Sequence, residues 1–396
     1  MTVLAPPPET ENLEREKEPW WLLVDPFLIL SALAIAVMGS VLVYSATRGV
    51  VDDFTEPNNA FLERQILFIT VGVVVGAIAA FFPPRYMRRL YPLAFAAMMG
   101  ALWLVLQIGV EVSGTRGWFS LGTFRMQPSE PGKLVVIVGL ALLLSTRAAG
   151  GAGLTRLGLA LVLAAAPIGL LMLQPDLGTM LVYLVIALVT VVASGIKLRW
   201  IALLAIVAAV GVVGVLRSDA LADYQEARLR VYLFAPSETN DEAATYAFNV
   251  EQAQIAIGNG GLRGQGLFEG TQTRSDLVPE QQTDFIFTVA GEELGLRGAS
   301  LLLGLYAVLL FRIWRTAQIA ATPFERLLCT GVFTMFLFQM FQSVGMTMGM
   351  MPVTGIPLPL VSYGGSSMLT SMAALGLVAG VYRRRLDIEG MLNQQM

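Results

Sequence analysis

The chain has 396 residues, 55% apolar and 14% charged, where a soluble domain carries about 25% charged residues. With a mean hydropathy of +0.66, its 26 basic and 29 acidic residues are too few to cover a water-facing surface of this size, so the sequence reads as an integral membrane protein. It has no histidine and one cysteine, Cys329, which excludes imidazole bases, histidine-dependent zinc or haem sites and an internal disulfide, while a net charge of −3 argues against a nucleic-acid partner.

In chain order, residues 1–21 are rich in Pro and Glu and lack an apolar h-region, so they read as a disordered cytoplasmic tail and not as a signal peptide. Trp20 and Trp21 suit an interfacial anchor. Apolar runs follow at 27–47, 65–83, 91–110, 133–146, 157–174, 178–194, 200–216, 285–311, 327–350 and 366–382. On the criterion of roughly 20 apolar residues per span, the fold class is all-α: a polytopic membrane protein with about ten transmembrane helices and a large extracytoplasmic loop before the eighth. The fourth run is short unless its helix begins between Gln127 and Lys133. The expected domain plan is a 1–21 tail, a 22–387 transmembrane domain containing the loop 217–284, and a 388–396 cytoplasmic tail.

Arg85, Arg88, Arg89, Arg147, Arg156, Lys197, Arg199, Arg312, Arg315, Arg326 and Arg383 to Arg385 fall on one face under alternation. With Arg15 and Lys17 they make 15 of the 26 basic residues, which assigns that face and both termini to the cytoplasm.

The opposite face carries the chemistry. In SGTRGWFSLGTFRMQPSEPGKL, Ser129 suits an N-cap, Glu130 falls in the first helical turn and Lys133 follows at i+3 on the same face. Beside Arg116 and Trp118, that pair suits an anionic headgroup; the same spacing equally serves an interfacial salt bridge. QPDLGT places Asp176 in a turn that caps the next helix.

The 217–284 loop is too long for a simple connection and points to function. Its stretch 224–234 puts Tyr224, Ala227, Val231 and Tyr232 on one interfacial helix face flanked by Arg228 and Arg230, and 246–257 reads as a second helix stopped by Gly258 to Gly261. With turns at Pro236 and at Gly258 to Gly261, this loop is expected to be weakly tied to the core. AIGNGGLRGQG lacks the Lys-Ser/Thr ending of a phosphate loop and reads as a turn.

In LVPEQQTDFIF, Asp284 stands where the polar loop becomes an apolar helix. Partial desolvation there raises a carboxylate toward a usable general base, although an N-cap aspartate fits the same context. Glu292 and Glu293 are adjacent helix residues about 100° apart and read as structural. Pro352, Pro357 and Pro359 with Gly355, Gly364 and Gly365 interrupt a span, and non-helical backbone at that depth walls a polar cavity.

TRGWFSLGTFRMQPSEPGKL, QPDLGT, AIGNGGLRGQG, VPEQQTDFIFTVAGEELG and PVTGIPLPLVSYGGSS, in that order, resemble the SEDS family (shape, elongation, division and sporulation) over nearly the whole chain. GTQTRSDLVPEQQTDFIF resembles its elongation branch more than its division branch. The resemblance implies a peptidoglycan glycosyltransferase of the bacterial inner membrane that polymerises lipid II, partnered by a class B penicillin-binding protein supplying transpeptidation and by other cell-wall elongation proteins. By motif, Asp284 matches the catalytic aspartate, Glu130 and Lys133 the functionally important Glu and Lys, and Arg116, Trp118, Gln127 and Arg228 further motif positions. Pro131-Gly132 replaces the usual apolar pair between Glu130 and Lys133, and Ser343 stands where Asn is common.

The implied reaction suits a chain without histidine. Asp284 deprotonates the acceptor 4-hydroxyl, which attacks the donor anomeric carbon opposite undecaprenyl pyrophosphate, turning an α- into a β-linkage by inversion. Arg and Lys at the same face would stabilise the leaving pyrophosphate, a task a divalent cation (Mg or Mn) can share, although no loop offers a clear ligand cluster. The competing class is a lipid II flippase, which requires charges along the membrane interior and on both faces.

Overall fold

The computed structural model describes residues 25–48, 59–112, 115–122, 124–145, 154–197, 199–200, 241–275 and 277–393. The 1–21 tail, Trp20 and Trp21, nearly all of the 200–216 span, the 224–234 helix with Arg228, and Pro236 lie outside the described residues.

Nine of the ten expected spans are present as helices among the described residues. They are α1 (Pro26–Ala46), α2 (Ala60–Phe81), α3 (Pro84–Ile108), α4 (Ser129–Leu144), α5 (Leu154–Leu173) and α6 (Leu177–Ala193), then, after the loop helices α7 (Asp241–Gly260) and α8 (Thr271–Arg274), α9 (Ile286–Ile319), α10 (Pro323–Thr347) and α11 (Gly365–Asn393). Seven are both long and apolar enough to cross a membrane. Helix α11 runs to Asn393, past the expected domain boundary at 387.

Local sequence explains the helix starts. Asp25 caps α1 by accepting from the Phe27 and Leu28 N–H groups, with Pro26 at the position where a missing donor costs nothing. Thr322 caps α10 in the same way through the Glu325 N–H, with Pro323 following. The carboxylates at these helix starts also join helices: Asp25 pairs with Arg312 of α9 at 2.5 Å and Glu325 with Arg384 of α11 at 2.6 Å.

Helices α1 and α9 run antiparallel, because Ser45 at the end of α1 donates to Glu293 at 2.5 Å while Asp25 at its start meets Arg312. The first turns of α9 therefore extend beyond the end of α1, onto the face opposite these arginine-bearing ends. Helices α10 and α11 are largely enclosed, whereas α2 and α3 turn exposed Ile66, Leu67, Val74, Ile78 and Leu93 outward, as a lipid-facing surface requires.

Three features depart from the sequence expectations. The stretch after α3 is a small antiparallel sheet, β1 (Val110–Val112), β2 (Thr115–Leu121) and β3 (Phe124–Met126), paired in the order β1-β2-β3 with a register shift at Val110 and Glu111. Ser129 is the first helical residue of α4; the N-cap position is Pro128, and the Ser129 side chain makes no capping bond. Helix α9 is also broken: Gly295 has φ 62° and ψ −164°, a region essentially closed to residues with a Cβ.

That break gives the glycine-rich stretch its role. It exposes the Glu292 and Glu293 carbonyls and the Leu296 and Arg297 N–H groups, and loop residues 261–266 pair with all four: Gln265 N to Glu292 O at 3.0 Å, Gly266 N to Glu293 O at 3.1 Å, Leu296 N to Gly261 O at 2.9 Å and Arg297 N to Leu262 O at 3.4 Å. This part of the long loop is thus tied firmly to the core, contrary to the expectation of weak tethering. A Cβ on Gly295 would lie 2.2 Å from Gly264 N. Gly295→Ala is expected to cost at least about 1–3 kcal/mol from backbone strain, read as a lower melting temperature in detergent. An unchanged melting temperature would show that the loop is not clamped here.

The proline-rich segment after α10 is non-helical, and its carbonyls are met by side chains from surrounding helices, as buried irregular backbone demands. Gln342 donates to Pro352 O at 2.8 Å, Tyr306 to Pro359 O, and Gln65 to Val361 O at 3.4 Å.

Candidate active site

The sheet, the α5–α6 turn, the end of the long loop and the proline-rich segment enclose an open cleft of about 170 Å³. Of the expected site residues, Asp284, Glu130, Trp118 and Gln127 line it. Asp176, Glu280, Tyr363 and Ser366 join them. These groups come from five separated stretches of chain, so the cleft exists only in the folded state.

Asp284 sits one residue before Phe285, the N-cap position of α9, whose side chain makes no capping bond. Its N–H donates to Glu280 O at 3.0 Å, closing a tight turn. The neighbouring Thr283 carbonyl accepts from Ser362 Oγ at 2.5 Å, and the Tyr363 N–H donates to Gln282 O at 2.9 Å. The turn carrying Asp284 is therefore stitched to the proline-rich segment.

Behind it, Glu292 is fully buried and gathers α8. It accepts from Gln272 N at 2.7 Å, Thr273 N at 2.9 Å, Thr273 Oγ1 at 2.7 Å and Thr271 Oγ1 at 3.2 Å. Gln281, three residues before Asp284 in the chain, then bridges Thr273 and Thr288 at 3.2 and 3.3 Å, which ties the Glu292 cluster to the segment that carries Asp284. Glu292 and Glu293 turn to different partners, Glu292 to α8 and Glu293 to Ser45 of α1. Glu292→Ala is expected to lower turnover by roughly 10²-fold, since displacing a reacting group by about 1 Å has that effect. Wild-type turnover in this variant would mean that α8 does not position Asp284.

On the opposite wall, Lys133 Nζ donates to Glu130 Oε1 at 2.6 Å, and both side chains are almost completely buried. Glu130 lines the cleft, whereas Lys133 lies behind it. The Pro131-Gly132 pair has a packing reason: Tyr183 of α6 donates to Ser129 O at 2.8 Å, and a Cβ at Gly132 would lie 2.2 Å from that hydroxyl. Ser343 is buried, and its hydroxyl has no hydrogen-bond partner among the described residues.

Asp176 caps α6 by accepting from Thr179 N at 2.9 Å, as its turn motif suggests, and its second oxygen accepts from Gln127 Nε2 at 3.1 Å. Burial pushes its carboxyl above the usual carboxylate range, opposed by the Thr179 hydrogen bonds and the Lys133 charge. The sequence pattern assigns Asp176 only to a cap; its QPDLGT turn carries no sign that Gln127 brings it into the cleft.

Arg116 lies on the exposed sheet and meets Glu111 at 3.9 Å instead of lining the cleft. Among the described residues the cleft wall carries Glu130, Asp176, Glu280 and Asp284 but no Arg or Lys. Such a site offers bases and metal-binding oxygens more readily than anion contacts.

The fold and cleft define a polytopic membrane protein with a carboxylate-lined site at one face. A family model for the cell cycle proteins FtsW, RodA and SpoVE matches residues 26–386, and the chain belongs to that family. It is 35% identical over 372 residues to the peptidoglycan glycosyltransferase MrdB of Escherichia coli (strain K12), covering 93% of this chain and 96% of that protein. A chain of a solved peptidoglycan synthase complex, in which polymerization and crosslinking are coordinated, superposes with a TM-score of 0.75 at 32% identity, covering 92% of this chain and 99% of that one. The rod shape determining protein RodA of Thermus thermophilus gives 0.67 at 32% identity, over 93% and 99%.

Proposed function

We propose that this protein is an inverting peptidoglycan glycosyltransferase that polymerises lipid II for cell elongation and rod shape, with Asp284 as general base. The observation that carries the reading is that Asp284, on a stitched turn, and Glu130, on the far wall, line one cleft at the face opposite the arginine-rich ends. Asp284 takes the proton of the acceptor 4-hydroxyl, and undecaprenyl pyrophosphate leaves from the opposite side of the donor sugar. Glu130 and Gln127 orient sugar hydroxyls, Trp118 offers an apolar face to a sugar ring, and Lys133 holds Glu130 in place from behind through their ion pair.

A Mg or Mn ion fits the mode in which one or two carboxylates and the substrate's phosphates share the ligation, since no three acidic side chains converge among the described residues. Arg116 and Arg228 remain candidates for contacts to the pyrophosphate.

The arginine-rich face and both termini are cytoplasmic in this reading, and the cleft faces the outside of the inner membrane. A class B penicillin-binding protein is the proposed partner, acting through the 217–284 loop that ends on Asp284 and along transmembrane helices. A lipid II flippase is less well supported, because the cleft's charged groups gather at one face. In sealed proteoliposomes loaded with labelled lipid II, chain growth that increases when the partner is added is the expected result. Transfer of intact lipid II across the bilayer without chain growth would favour the flippase.

A further inference from the structure

A second cavity lies far from the cleft, between α1, α2 and α11 toward the arginine-rich face, with a volume of about 260 Å³. Its wall is apolar, formed by residues such as Ala32, Val73, Ala77 and Leu375, and Arg383 is the one charged residue lining it among the described residues. Its floor is the crossing of α2 and α11, so close that a Cβ on Gly376 would lie 2.0 Å from Gly76 O.

Arg383 is placed as a headgroup anchor. Its guanidinium carbon lies 4.3 Å from the centroid of the Phe81 ring, and its Nε has no hydrogen-bond partner among the described residues. No ion pair to Arg383 occurs among the described side chains, whereas the adjacent Arg384 is held by Glu325 at 2.6 Å. A cation with no ion pair among the described residues therefore closes the polar end of an apolar trough.

We propose that this groove binds an anionic phospholipid from the leaflet at the arginine-rich face, with one acyl chain along Ala32, Val73 and Ala77 and the phosphate on Arg383. Charge complementarity selects an anionic lipid, since a guanidinium pairs with phosphate in a charge-assisted geometry. The site is independent of how the cleft is read.

Native mass spectrometry of the purified protein with phosphatidylglycerol and phosphatidylethanolamine of identical chains tests it. Retention of phosphatidylglycerol is expected to be about fivefold greater, the effect of one basic residue at an anionic surface. Arg383→Gln should abolish the preference and Arg383→Lys retain most of it, while Ala77→Phe, at an exposed position in the groove, should reduce retention of both lipids. Arg315→Gln, exposed on the same face outside the groove, should change neither. Equal retention of the two lipids by the unaltered protein would overturn the proposal, as would unchanged retention in Ala77→Phe. Displacement of the lipid by millimolar inorganic phosphate would reduce the site to a phosphate contact and overturn the acyl groove.

Discussion

Asp284→Asn is expected to insert and fold like the parent and to lose glycan synthesis by about 10²–10⁴-fold, the range a positioned general base contributes. The amide keeps the size of the side chain and an acceptor oxygen but cannot take a proton from a sugar hydroxyl. The turn beneath it is held by the Asp284 N–H to Glu280 O bond and by Ser362 on the Thr283 carbonyl, neither of which uses the carboxylate. A variant that polymerises at the parental rate removes Asp284 as the base. Loss of folded protein together with activity would make the carboxylate a capping group.

Lys133→Met is expected to have the second largest effect, on stability as much as on rate. The ammonium and Glu130 are buried together at 2.6 Å, so deleting the cation strands a carboxylate away from water, at a cost of about 3–5 kcal/mol. The double variant Glu130→Gln with Lys133→Met leaves no stranded charge and should recover most of the melting temperature. It should remain poorly active, because Glu130 lines the cleft. Recovery of both stability and turnover in the double variant would make the pair a structural salt bridge.

The helices were legible because a run of about twenty apolar residues matches the thickness of a bilayer core, and the start of α4 near Gln127 followed from the same length requirement. The cavity wall was legible too, since prolines inside a membrane span need protein around them. The sheet was not, because two of its three strands are three residues long and carry no readable alternation. The break at Gly295 was hidden for a different reason: its cause is the docking of Gly261 to Gly266, a long-range contact that leaves no local mark.

For the site, spacing showed that Glu130 and Lys133 share a helix face. It could not show which of them would line the cleft, because Tyr183 and Gly132 set how α4 packs. Asp176 was similarly readable as a cap but not as a cleft residue, since its second partner, Gln127, lies 49 residues away. Arg116, a motif position beside the site in sequence, lies on the exposed sheet with Glu111 and not on the cleft wall, a placement its motif does not reveal.

The most direct measurement is to incubate the purified protein in detergent with labelled lipid II and resolve the products on a gel. Detergent removes the two leaflets, so transport cannot contribute to the signal. A ladder of glycan chains from the parent, absent with Asp284→Asn, is the predicted result. Lipid II recovered intact from the parent, with and without the penicillin-binding partner and a divalent cation, would contradict the assignment of this cleft as a polymerase site.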